Sequence, residues 1–392
     1  MANDAPHRNI VIFSARYLPS VGGVEFFTKN LGHQLATMGH DVLVVTCEPA
    51  DDETSDARRQ VGEGSFEVMR LHSFGPRRVP LVRKDAHFRA CMERLGRLGA
   101  FDALINTRLY DLSYVAARLC KRLGVRPVLI DHGTGYITFP NPILSTASKV
   151  AEHAITARLR RYPTSYYGVS RDASRWLGTF GIDSCGEIHN ALDAEAFVGQ
   201  RSQRDFRAEA GVSEDALCVA FAGRLLPEKG ADTMVTAARM LSDDPRLHLF
   251  VAGTGPMEQE VAAAARDLAN LTYVGVLGHP DLAALLCQSD VFCFPTRYSE
   301  GLPTSLLEAG ACGCALVSSR AGGVEEIIPS DRQGIILDSP SAEDVVGALR
   351  KLAADSALVE DLRRGGRAHV CERFTWEATA RELLQAFSSI DC

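Results

Sequence analysis

Short β-branched runs alternate with stretches of helical periodicity along nearly the whole sequence. This pattern is typical of βα units that build parallel sheets. It pauses at a polar stretch, residues 192–215, which we interpret as a linker, and then restarts. We therefore predict an α/β protein in which one doubly wound sheet plan is used twice.

The strand pattern recurs at short intervals. In the first half it covers Ile10–Ala15, Asp41–Cys47, Phe66–Leu71, Ala103–Asn106, Val128–Asp131, Tyr166–Val169 and Gly186–His189. In the second half it covers Val219–Ala222, Leu247–Ala252, Leu271–Val274, Val291–Phe294, Ala315–Ser318 and Ile335–Leu337. The first helix is predicted from Val24 to Met38 with Gly39 as its stop. The last carries an apolar stripe between Trp376 and Ile390, so it must pack on something.

The composition fits globular domains and disfavours several other classes. Of the 392 residues, 46% are hydrophobic and 23% are charged, which is close to the average for soluble proteins. No apolar run reaches the roughly 18 residues of a membrane span, and the first apolar stretch, Ile10 to Phe13, is too short for a signal peptide. The 11 cysteines are odd in number and never spaced C-x-x-C. We expect a cytoplasmic protein with reduced thiols.

The formal net charge of −7 is distributed unevenly, with +5 on residues 1–190 and −12 on the rest. A basic run in the first half contains Arg70, Arg77, Arg78, Arg83, Lys84, Arg89, Arg94 and Arg97, and Arg158, Arg160 and Arg161 follow later. The run is either a footprint for an anionic membrane or lipid-linked acceptor, or a solvated helix face. No basic-aromatic pattern or reader motif occurs, so we expect no nucleic-acid partner.

The most specific motif, residues 295–314, directly follows a predicted strand. Pro303 suits the first position of a helix, because its missing N–H needs no partner there. Glu300 would then lie in the loop and Glu308 in the second helical turn, where a carboxylate can accept from both hydroxyls of a vicinal diol. With the helix dipole, backbone N–H groups at the helix start would bind a phosphate: those of Leu302, Thr304 and Ser305.

A second motif, residues 221–230, follows another predicted strand. Gly223 allows a tight turn, and Arg224 and Lys229 place two cations at the carboxyl end of the strand, where doubly wound sheets bind their ligands. Two cations match a diphosphate, because arginine binds phosphate bidentately and lysine supplies a point charge. Together they could replace a divalent metal on a leaving pyrophosphate.

Two further candidate sites lie in the first half. Gly22 and Gly23 let the backbone approach a phosphate at the start of the first helix. They do not form the dinucleotide pattern G-x-G-x-x-G, and residues 251–258 fail it too, which disfavours a nicotinamide enzyme. His132 follows the strand Val128–Asp131 and could face a sugar hydroxyl or a developing charge; a structural histidine is the alternative.

Missing motifs narrow the chemistry. No two aspartates are spaced D-x-D and no two of the 11 histidines lie within five positions of each other. We therefore expect no metal site and no resident cofactor. The G-x-S-x-G elbow of serine hydrolases is absent as well.

Together these residues resemble a retaining glycosyltransferase of the GT4 family, with the GT-B architecture. The resemblance spans nearly the whole chain and rests on Gly22-Gly23, Asp131-His132-Gly133, Ser170, Asn190, Gly223-Arg224, Lys229-Gly230, Gly253–Pro256 and Glu300 with Glu308. It implies two Rossmann-like domains facing a cleft, with acceptor binding at 1–195, nucleotide-sugar binding at 196–375, and a helix at 376–392 that crosses back to the first domain.

The resemblance also implies the reaction and its central residues. A hexosyl-type sugar would move from a nucleoside-diphosphate sugar, a UDP or GDP sugar, to a hydroxyl acceptor in the synthesis of cell-surface polysaccharides, lipid-linked glycans or glycosylated metabolites. Arg224 and Lys229 would bind the donor diphosphate, and Glu308 the ribose hydroxyls. Glu300 would contact the transferred sugar near the reacting carbon, and His132 would touch the sugar or the acceptor.

The remaining implied contacts are made largely by backbone. Leu302 and Thr304 would help to position the sugar, Gly22 and Gly23 would approach the phosphates, and Val276, within residues 274–278, would line the base. The family resemblance further implies that the nucleotide sugar is a co-substrate, that no metal is needed, and that the enzyme acts in the cytoplasm, at the inner face of the membrane if its acceptor is lipid-linked.

The sequence departs from the family pattern at two positions. Ala191 stands where a glycine usually follows Asn190, and Pro303 removes one N–H donor. Two rival functions share the architecture: a nucleotide-sugar 2-epimerase, and a non-catalytic subunit that only binds a nucleotide sugar. The Glu300/Glu308 pair favours transfer over the epimerase, and the presence of both cations, both glutamates and the histidine disfavours a non-catalytic subunit.

Overall fold

The computed structural model describes residues 6–20, 22–48, 66–75, 79–137 and 141–390. Arg77 and Arg78 of the basic run lie outside the described residues. The chain divides into two compact units: unit 1 comprises Met1–Asn190 with Trp376–Cys392, and unit 2 comprises Ala191–Thr375.

Unit 1 is built on a sheet of six parallel strands. The strands of unit 1, including two outside this sheet, are β1 (Asn9–Ser14), β2 (Asp41–Cys47), β3 (Glu67–Leu71), β4 (Ser73–Phe74), β5 (Leu81–Val82), β6 (Asp102–Asn106), β7 (Val128–Asp131) and β8 (Ser165–Gly168). Its first helices are α1 (Gly23–Thr37), α2 (Ala86–Gly96), α3 (Asp111–Leu123), α4 (Pro142–Leu159) and α5 (Arg171–Gly178). Strands β4 and β5 form a separate antiparallel pair.

The order of the sheet in unit 1 is β3-β2-β1-β6-β7-β8. The order in which the chain adds strands to the sheet reverses between β1 and β6. These two strands are parallel neighbours, with Ile12 beside Leu104. Helices cover both faces of such a sheet, so its central strands are buried runs of valine, isoleucine and leucine. Ligands bind in these folds at the carboxyl edge, near the reversal point.

Unit 2 repeats the same plan. Its strands are β9 (Leu217–Ala222), β10 (Leu247–Ala252), β11 (Leu271–Gly275), β12 (Val291–Phe294), β13 (Ala315–Ser319) and β14 (Gly334–Leu337). Its helices are α6 (Ala194–Gly199), α7 (Phe206–Glu209), α8 (Ala231–Met240), α9 (Glu258–Asp267), α10 (His279–Cys287), α11 (Thr304–Cys312), α12 (Val324–Ile327), α13 (Ala342–Ala354) and α14 (Ser356–Arg373). The strand order is β11-β10-β9-β12-β13-β14, so the reversal point lies between β9 and β12.

The last helix, α15 (Trp376–Ile390), belongs to unit 1. Its apolar stripe is buried, with Leu383 and Phe387 at 0% and 1% exposure. Trp376 meets Phe27 of α1 edge to face, with ring centroids 5.7 Å apart. His189 is tied to the same helix, because its backbone N–H donates to Glu382 at 2.9 Å.

Two local predictions are wrong. Residues 186–189 form no strand; Glu187 makes a single bridge to Gly168, and Gly186, at φ 144°, departs from the extended course of a strand. The polar stretch at 192–215 is not a free linker, because it contains α6 and α7 and buries Phe197 and Phe206. The other predicted strands are found, with ends shifted by two residues or fewer, and Gly39 ends the α1 region with φ 92°.

Candidate active site

Two loops of unit 2 meet at the carboxyl edge of its sheet. The loop of residues 223–230 leaves β9 and contains Lys229, and the loop of residues 295–302 leaves the neighbouring strand β12 and contains Glu300. A Cβ atom at Gly230 would lie 2.4 Å from the carbonyl oxygen of Pro295. The φ of Gly230 is 87°, so both space and conformation require glycine where the loops touch.

Lys229 and Glu300 form an ion pair between these two loops. Lys229 Nζ contacts Glu300 Oε1, and the two side chains remain 17% and 16% exposed. The ammonium also lies 4.4 Å from the ring centroid of Tyr298, within the range of a cation–π contact. The structure thus brings together the cation predicted for the diphosphate and the carboxylate predicted for the sugar.

Hydrogen bonds around Arg297 fasten the turn that carries Lys229 to the loop that carries Glu300. The carbonyl oxygen of Glu228 accepts from the backbone N–H of Arg297 at 2.7 Å. The Arg297 guanidinium donates to the carbonyl oxygen of Pro227 at 2.7 Å and to both carboxylate oxygens of Asp232 at 3.0 Å. Sequence reasoning missed Arg297, because its partners are 65 to 70 positions away and no local pattern indicates them.

Arg224 lies just beyond the end of β9, and its side chain is exposed. The backbone on either side is held to the loop after β10, since Gly223 N–H donates to Ala252 at 3.1 Å and Leu225 N–H donates to Thr254 at 2.9 Å. Within the described ranges, its guanidinium has neither a hydrogen bond nor an ion pair. A cation with a fixed backbone and no protein carboxylate beside it suits a phosphate ligand.

Helix α11 begins at Thr304, and Pro303 is its N-cap rather than its first residue. The predicted start of the helix, at Pro303, was one residue too early, because the ψ of Pro303 is 108° and its backbone is extended. The N–H groups of Thr304 and Ser305 donate to no described residue, so they are open to an anion. Leu302 has a buried side chain, 4% exposed, so only its backbone can serve a ligand.

Glu308 lies in the second turn of α11, as predicted, and is partly exposed. Burial raises the pKa of its carboxyl from 4.5 to about 7, because neighbouring protein atoms remove water from the charged form. The carboxyl therefore changes charge near neutral pH. A ribose diol that donates two hydrogen bonds would stabilise its ionised form.

Val276 lies one residue beyond β11 and is 69% exposed. The end of β11 is fixed, because the hydroxyl of Tyr273 donates to the carbonyl oxygen of Gly253 at 2.9 Å. An exposed apolar side chain on a fixed strand end can pack against the flat face of a base. The assignment of Val276 to the base stays a prediction.

In unit 1, Gly22 and Gly23 are the N-cap and the first residue of α1. A Cβ atom on Gly22 would lie 2.6 Å from Glu25 Oε2, whereas one on Gly23 would meet nothing within 4 Å. Glu25 is 2% exposed and pairs with Arg16 at 2.7 Å. Sequence reasoning missed Glu25, although an acid in the first helical turn is a known favourable arrangement.

His132 follows β7, and its hydrogen bonds fix which ring nitrogen carries the proton. Asn106 Nδ2 donates to Thr28 Oγ1 at 2.8 Å and to the carbonyl oxygen of Val24 at 3.4 Å, so Asn106 Oδ1 faces the ring. His132 Nε2 lies 2.6 Å from that oxygen and must donate to it. Burial lowers the pKa of His132 from 6.5 to about 4, which keeps the ring neutral.

The neutral ring leaves His132 with Nδ1 as its only hydrogen-bonding group for a ligand. A nitrogen lone pair accepts from a hydroxyl but cannot donate to a developing negative charge. Through Nδ1 the neutral ring can accept a hydrogen bond from a hydroxyl, which is one of the two contacts expected for His132; both contacts stay predictions.

Asp131 belongs to a buried ion cluster. Arg108 is 2% exposed; its Nε lies 2.6 Å from Asp131 Oδ2 and its Nη2 lies 3.5 Å from Glu152 Oε2. Thr107, between Asn106 and Arg108, has φ 74°, which is rare for a β-branched residue. Such strain gathers at functional sites and costs about 1–3 kcal/mol. The strained residue, Thr107, lies between Asn106, which orients His132, and Arg108, which binds Asp131.

The described ranges contain neither a cluster of metal-binding side chains nor a helix that could span a bilayer. In those ranges, no group of three or more His, Cys, Asp or Glu side chains is placed to hold a metal ion. In the same part of the chain, no helix combines the length and the hydropathy needed to cross a bilayer.

Two sequence families match this chain, one in each unit. Residues 21–196 match the family described as Glycosyltransferase Family 4, and residues 202–369 match the family described as Glycosyl transferases group 1. The chain belongs to the GT4 family of glycosyltransferases. It transfers a sugar from a nucleotide sugar and is a transferase of the EC 2.4 class.

One relative aligns with this glycosyltransferase along its whole length. It is the GDP-mannose-dependent monoacylated alpha-(1-6)-phosphatidylinositol monomannoside mannosyltransferase of Corynebacterium glutamicum, 27% identical over 97% of this chain and 98% of the relative. A second relative, the D-inositol 3-phosphate glycosyltransferase of Kribbella flavida, is 32% identical over 51% of this chain and 50% of its own length.

Solved structures share the fold of this glycosyltransferase. The sucrose-phosphate synthase of Thermosynechococcus elongatus superposes with a TM-score of 0.71 at 18% identity, over 98% of this chain and 99% of that one. Anabaena HepE in complex with UDP-glucose has the same TM-score at 15% identity, over 98% and 100%. The comparisons confirm the predicted family and the predicted fold of two Rossmann-like domains.

Proposed function

We propose that this glycosyltransferase transfers a hexosyl group from a UDP or GDP sugar to a hydroxyl acceptor, with retention of configuration and without a metal ion. The observation that carries the proposal is the contact of Lys229 with Glu300 at the carboxyl edge of unit 2. The exposed Arg224 lies at the same edge, where the neighbouring strand β9 ends.

A cation beside a carboxylate matches the two halves of a sugar diphosphate. The phosphate oxygens accept hydrogen bonds from Lys229 and Arg224, whereas the sugar hydroxyls donate to Glu300. The bond that joins the sugar to the diphosphate, from the anomeric carbon to the phosphate oxygen, would then lie beside the contact between Lys229 and Glu300. The N–H groups of Thr304 and Ser305 would add to the hydrogen bonds that the phosphates receive.

The reaction that this arrangement supports needs no dedicated protein base. The bond from the anomeric carbon to the phosphate oxygen breaks, and its electron pair stays on the departing diphosphate. The acceptor oxygen bonds to the carbon on the face that the diphosphate leaves, and the acceptor proton passes to a phosphate oxygen. Arg224 and Lys229 stabilise the charge that the diphosphate gathers, and a preorganised donor of this kind is worth about 3–4 kcal/mol.

The proposed acceptor is a hydroxyl compound held at the cytoplasmic face of a membrane, and it would be bound by unit 1. The Corynebacterium relative supports this part of the proposal, because its name places its own acceptor on a phosphatidylinositol mannoside. In unit 1, His132 would accept a hydrogen bond from a hydroxyl through Nδ1. The same name supports GDP as the nucleotide, and the UDP-glucose complex of Anabaena HepE supports UDP.

A donor screen tests the proposal without knowledge of the acceptor. The full chain is incubated with a panel of UDP, GDP and ADP sugars, and the slow release of nucleoside diphosphate is measured with and without EDTA. We expect release from one nucleotide class, unchanged by EDTA. R224A and K229A should each lose about 10²–10³-fold in rate, because each removes a cation from the leaving group.

The controls are an arginine and a lysine of unit 2 that lie outside the site. Arg266 in α9 and Lys351 in α13 are exposed, so R266A and K351A should stay within about twofold of the unmodified enzyme. Near-normal rates in R224A or K229A would remove the assigned roles. Conversion of the donor into its 2-epimer without hydrolysis would favour the epimerase, and dependence on added divalent metal would overturn metal independence.

A further inference from the structure

Helix α4 in unit 1 has the reverse of the usual polarity. Its buried residues are Glu152, Thr156 and Leu159, whereas Ile143 is 77% exposed and Val150 is 65% exposed. A helix on a soluble protein normally turns its apolar face to the core and its charges to water. The contacts of its inner face and the composition of its outer face must together account for this orientation.

The inner face of α4 is held by the buried guanidinium of Arg108. Arg108 Nη1 donates to Thr156 Oγ1 at 2.8 Å, and its Nη2 lies 3.5 Å from Glu152 Oε2. The other oxygen of Glu152 accepts from the backbone N–H of Ile137 at 2.8 Å. Rotating α4 to bury its apolar side would leave Arg108 and Glu152 as poorly compensated buried charges, which costs several kcal/mol. The polar contacts therefore keep the apolar side outward.

The outer face of α4 is a continuous apolar stripe. Positions 143, 147, 150, 151 and 154 recur at helical spacing, and all are occupied by isoleucine, valine or alanine and are exposed. Leu144 and Ile155 extend the stripe at 54% and 40% exposure. Of the thirteen large apolar side chains that are exposed among the described residues, five lie between Ile137 and Ile155. Such a concentration marks an interaction surface.

The exposed charges of α4 and of the two residues that follow it are all of one sign. Among residues 141–161 the only acid is Glu152, which is buried beside Arg108, whereas the exposed charged side chains are Lys149, Arg158, Arg160 and Arg161. Two copies of this surface would bring like charges together, which disfavours self-association. An apolar stripe with basic residues beside it is the pattern of helices that lie on anionic bilayers.

The basic run at residues 70–97 is a poorer candidate for this contact. Arg94 pairs with Glu67 at 2.5 Å, and Arg97 pairs with Glu93 at 3.4 Å. Arg70 donates inward to the carbonyl oxygen of Leu18 at 2.8 Å. These three cations are already engaged by the protein, whereas Arg83, Lys84 and Arg89 are exposed. The helix in this run, α2, turns Cys91, Met92 and Leu95 inward, so its apolar face is not available to a bilayer.

We propose that α4 docks this glycosyltransferase on an anionic membrane, lying in the interface plane with Ile143, Leu144, Val150 and Ile155 in the acyl boundary. Lys149 and Arg161 contact the lipid headgroups. The inference deepens the proposed function, since it rests on the acceptor being held at a membrane. It places the contact on a helix whose orientation is fixed by Arg108, so docking requires no rearrangement of unit 1.

Vesicle co-sedimentation of the full chain tests this proposal. Vesicles of phosphatidylcholine alone are compared with vesicles that also contain phosphatidylglycerol, at low and at high salt. We expect binding to the anionic vesicles, weakened by salt. The double variant I143S/V150S should bind about tenfold or more weakly, because two exposed apolar side chains no longer enter the bilayer. K149E/R161E should lose the preference for phosphatidylglycerol.

The control is L98S/L123S, which changes two leucines of unit 1 outside α4 that are 37% and 39% exposed. It should bind as the unmodified chain does, and all three double variants should keep the rate of donor hydrolysis. That rate shows that the variants are folded and separates this inference from the proposed function. No binding to anionic vesicles, or equal binding by I143S/V150S, overturns it. A dimer in solution that only I143S/V150S dissociates would assign the stripe to a second copy instead.

Discussion

Glu308 shows how one side chain couples the stability of the protein to its proposed role. Its carboxyl lies among protein atoms that raise its pKa from 4.5 to about 7. Because the folded state holds this proton more tightly than the unfolded state, the stability it contributes is fully present below about pH 4.5. That stability is lost as the pH rises through about 7. The ionised form of Glu308, which a ribose would bind, is therefore energetically unfavourable in the free protein.

We expect E308Q to be more stable than the unmodified chain at pH 8 and to bind nucleotide more weakly. Glutamine cannot ionise, so its free energy of unfolding should exceed that of the unmodified chain by about 1–3 kcal/mol at pH 8, and the gain should shrink towards pH 5. Affinity for UDP or GDP should fall about tenfold. Thermal melts at the two pH values and calorimetry measure both effects.

The control for E308Q is E360Q, which changes an exposed glutamate of α14. It should alter neither the melting temperature nor the nucleotide affinity at either pH. A stability gain in E308Q that is the same at pH 5 and pH 8 would contradict the raised pKa. Unchanged nucleotide affinity would remove Glu308 from the donor site.

At the scale of elements, the site is assembled by contacts between loops rather than within one loop. Lys229 lies in a turn after β9, Glu300 lies in a loop after β12, and their contact joins positions 71 residues apart. Arg297 bridges the same two segments through Pro227 and Asp232. The position of Lys229 relative to Glu300 therefore depends on Arg297. In the proposed arrangement, Arg297 contacts neither the diphosphate nor the sugar of the donor.

We expect R297A to weaken nucleotide binding by about tenfold while the chain stays folded. Removing the guanidinium frees the turn at residues 227–229, so Lys229 loses its fixed position and binding must order it again. Calorimetry with UDP or GDP, well below the melting temperature, measures the loss, and circular dichroism at the same temperature verifies the fold.

Arg246 provides a matched control, because its guanidinium also donates to both carboxylate oxygens of an aspartate but lies in the turn before β10. R246A should keep nucleotide affinity within about twofold. If R246A and R297A lose the same affinity, the effect is general destabilisation and Arg297 is not a positioning residue.

At the scale of the whole molecule, the chain returns to unit 1 after completing unit 2. Helix α15 buries Ala380, Leu383 and Phe387 and meets α1 through Trp376. Residues far apart in sequence are tied there, since Thr379 Oγ1 donates to the carbonyl oxygen of His189 at 2.9 Å. Unit 1 therefore cannot complete its core until the last residues of the chain are present.

We expect F387A to destabilise unit 1 by about 3–5 kcal/mol and to leave unit 2 nearly unchanged, because it removes a buried ring and leaves a cavity. Hydrogen exchange followed by peptide mapping should show faster exchange in α1 and α15 and unchanged exchange in β9 and β12. Q385A, at an exposed position of the same helix, is the control and should exchange as the unmodified chain does. Equal acceleration in both units would show that α15 stabilises more than unit 1.

The strands and the main motifs were predictable because their signals are local. A buried parallel strand needs a short apolar run whatever it packs against, so the pattern at Asp41–Cys47 or Val291–Phe294 is sufficient. Gly186–His189 was misassigned because the φ of Gly186 cannot be inferred from the residue type alone. The stretch 192–215 was misassigned because two buried phenylalanines, not its polar majority, decide that it folds.

By itself the sequence determined the two parallel sheets, the family and the residue types of the candidate site, since period and motif spacing are properties of neighbouring residues. Only the tertiary structure decided that Lys229 is paired with Glu300, that His132 presents Nδ1, and that α4 turns its apolar side outward. Each of these depends on a partner, Glu300, Asn106 or Arg108, that lies far along the chain. The protonation state and orientation of a polar group follow from what surrounds it, and those surroundings exist only after the chain has folded.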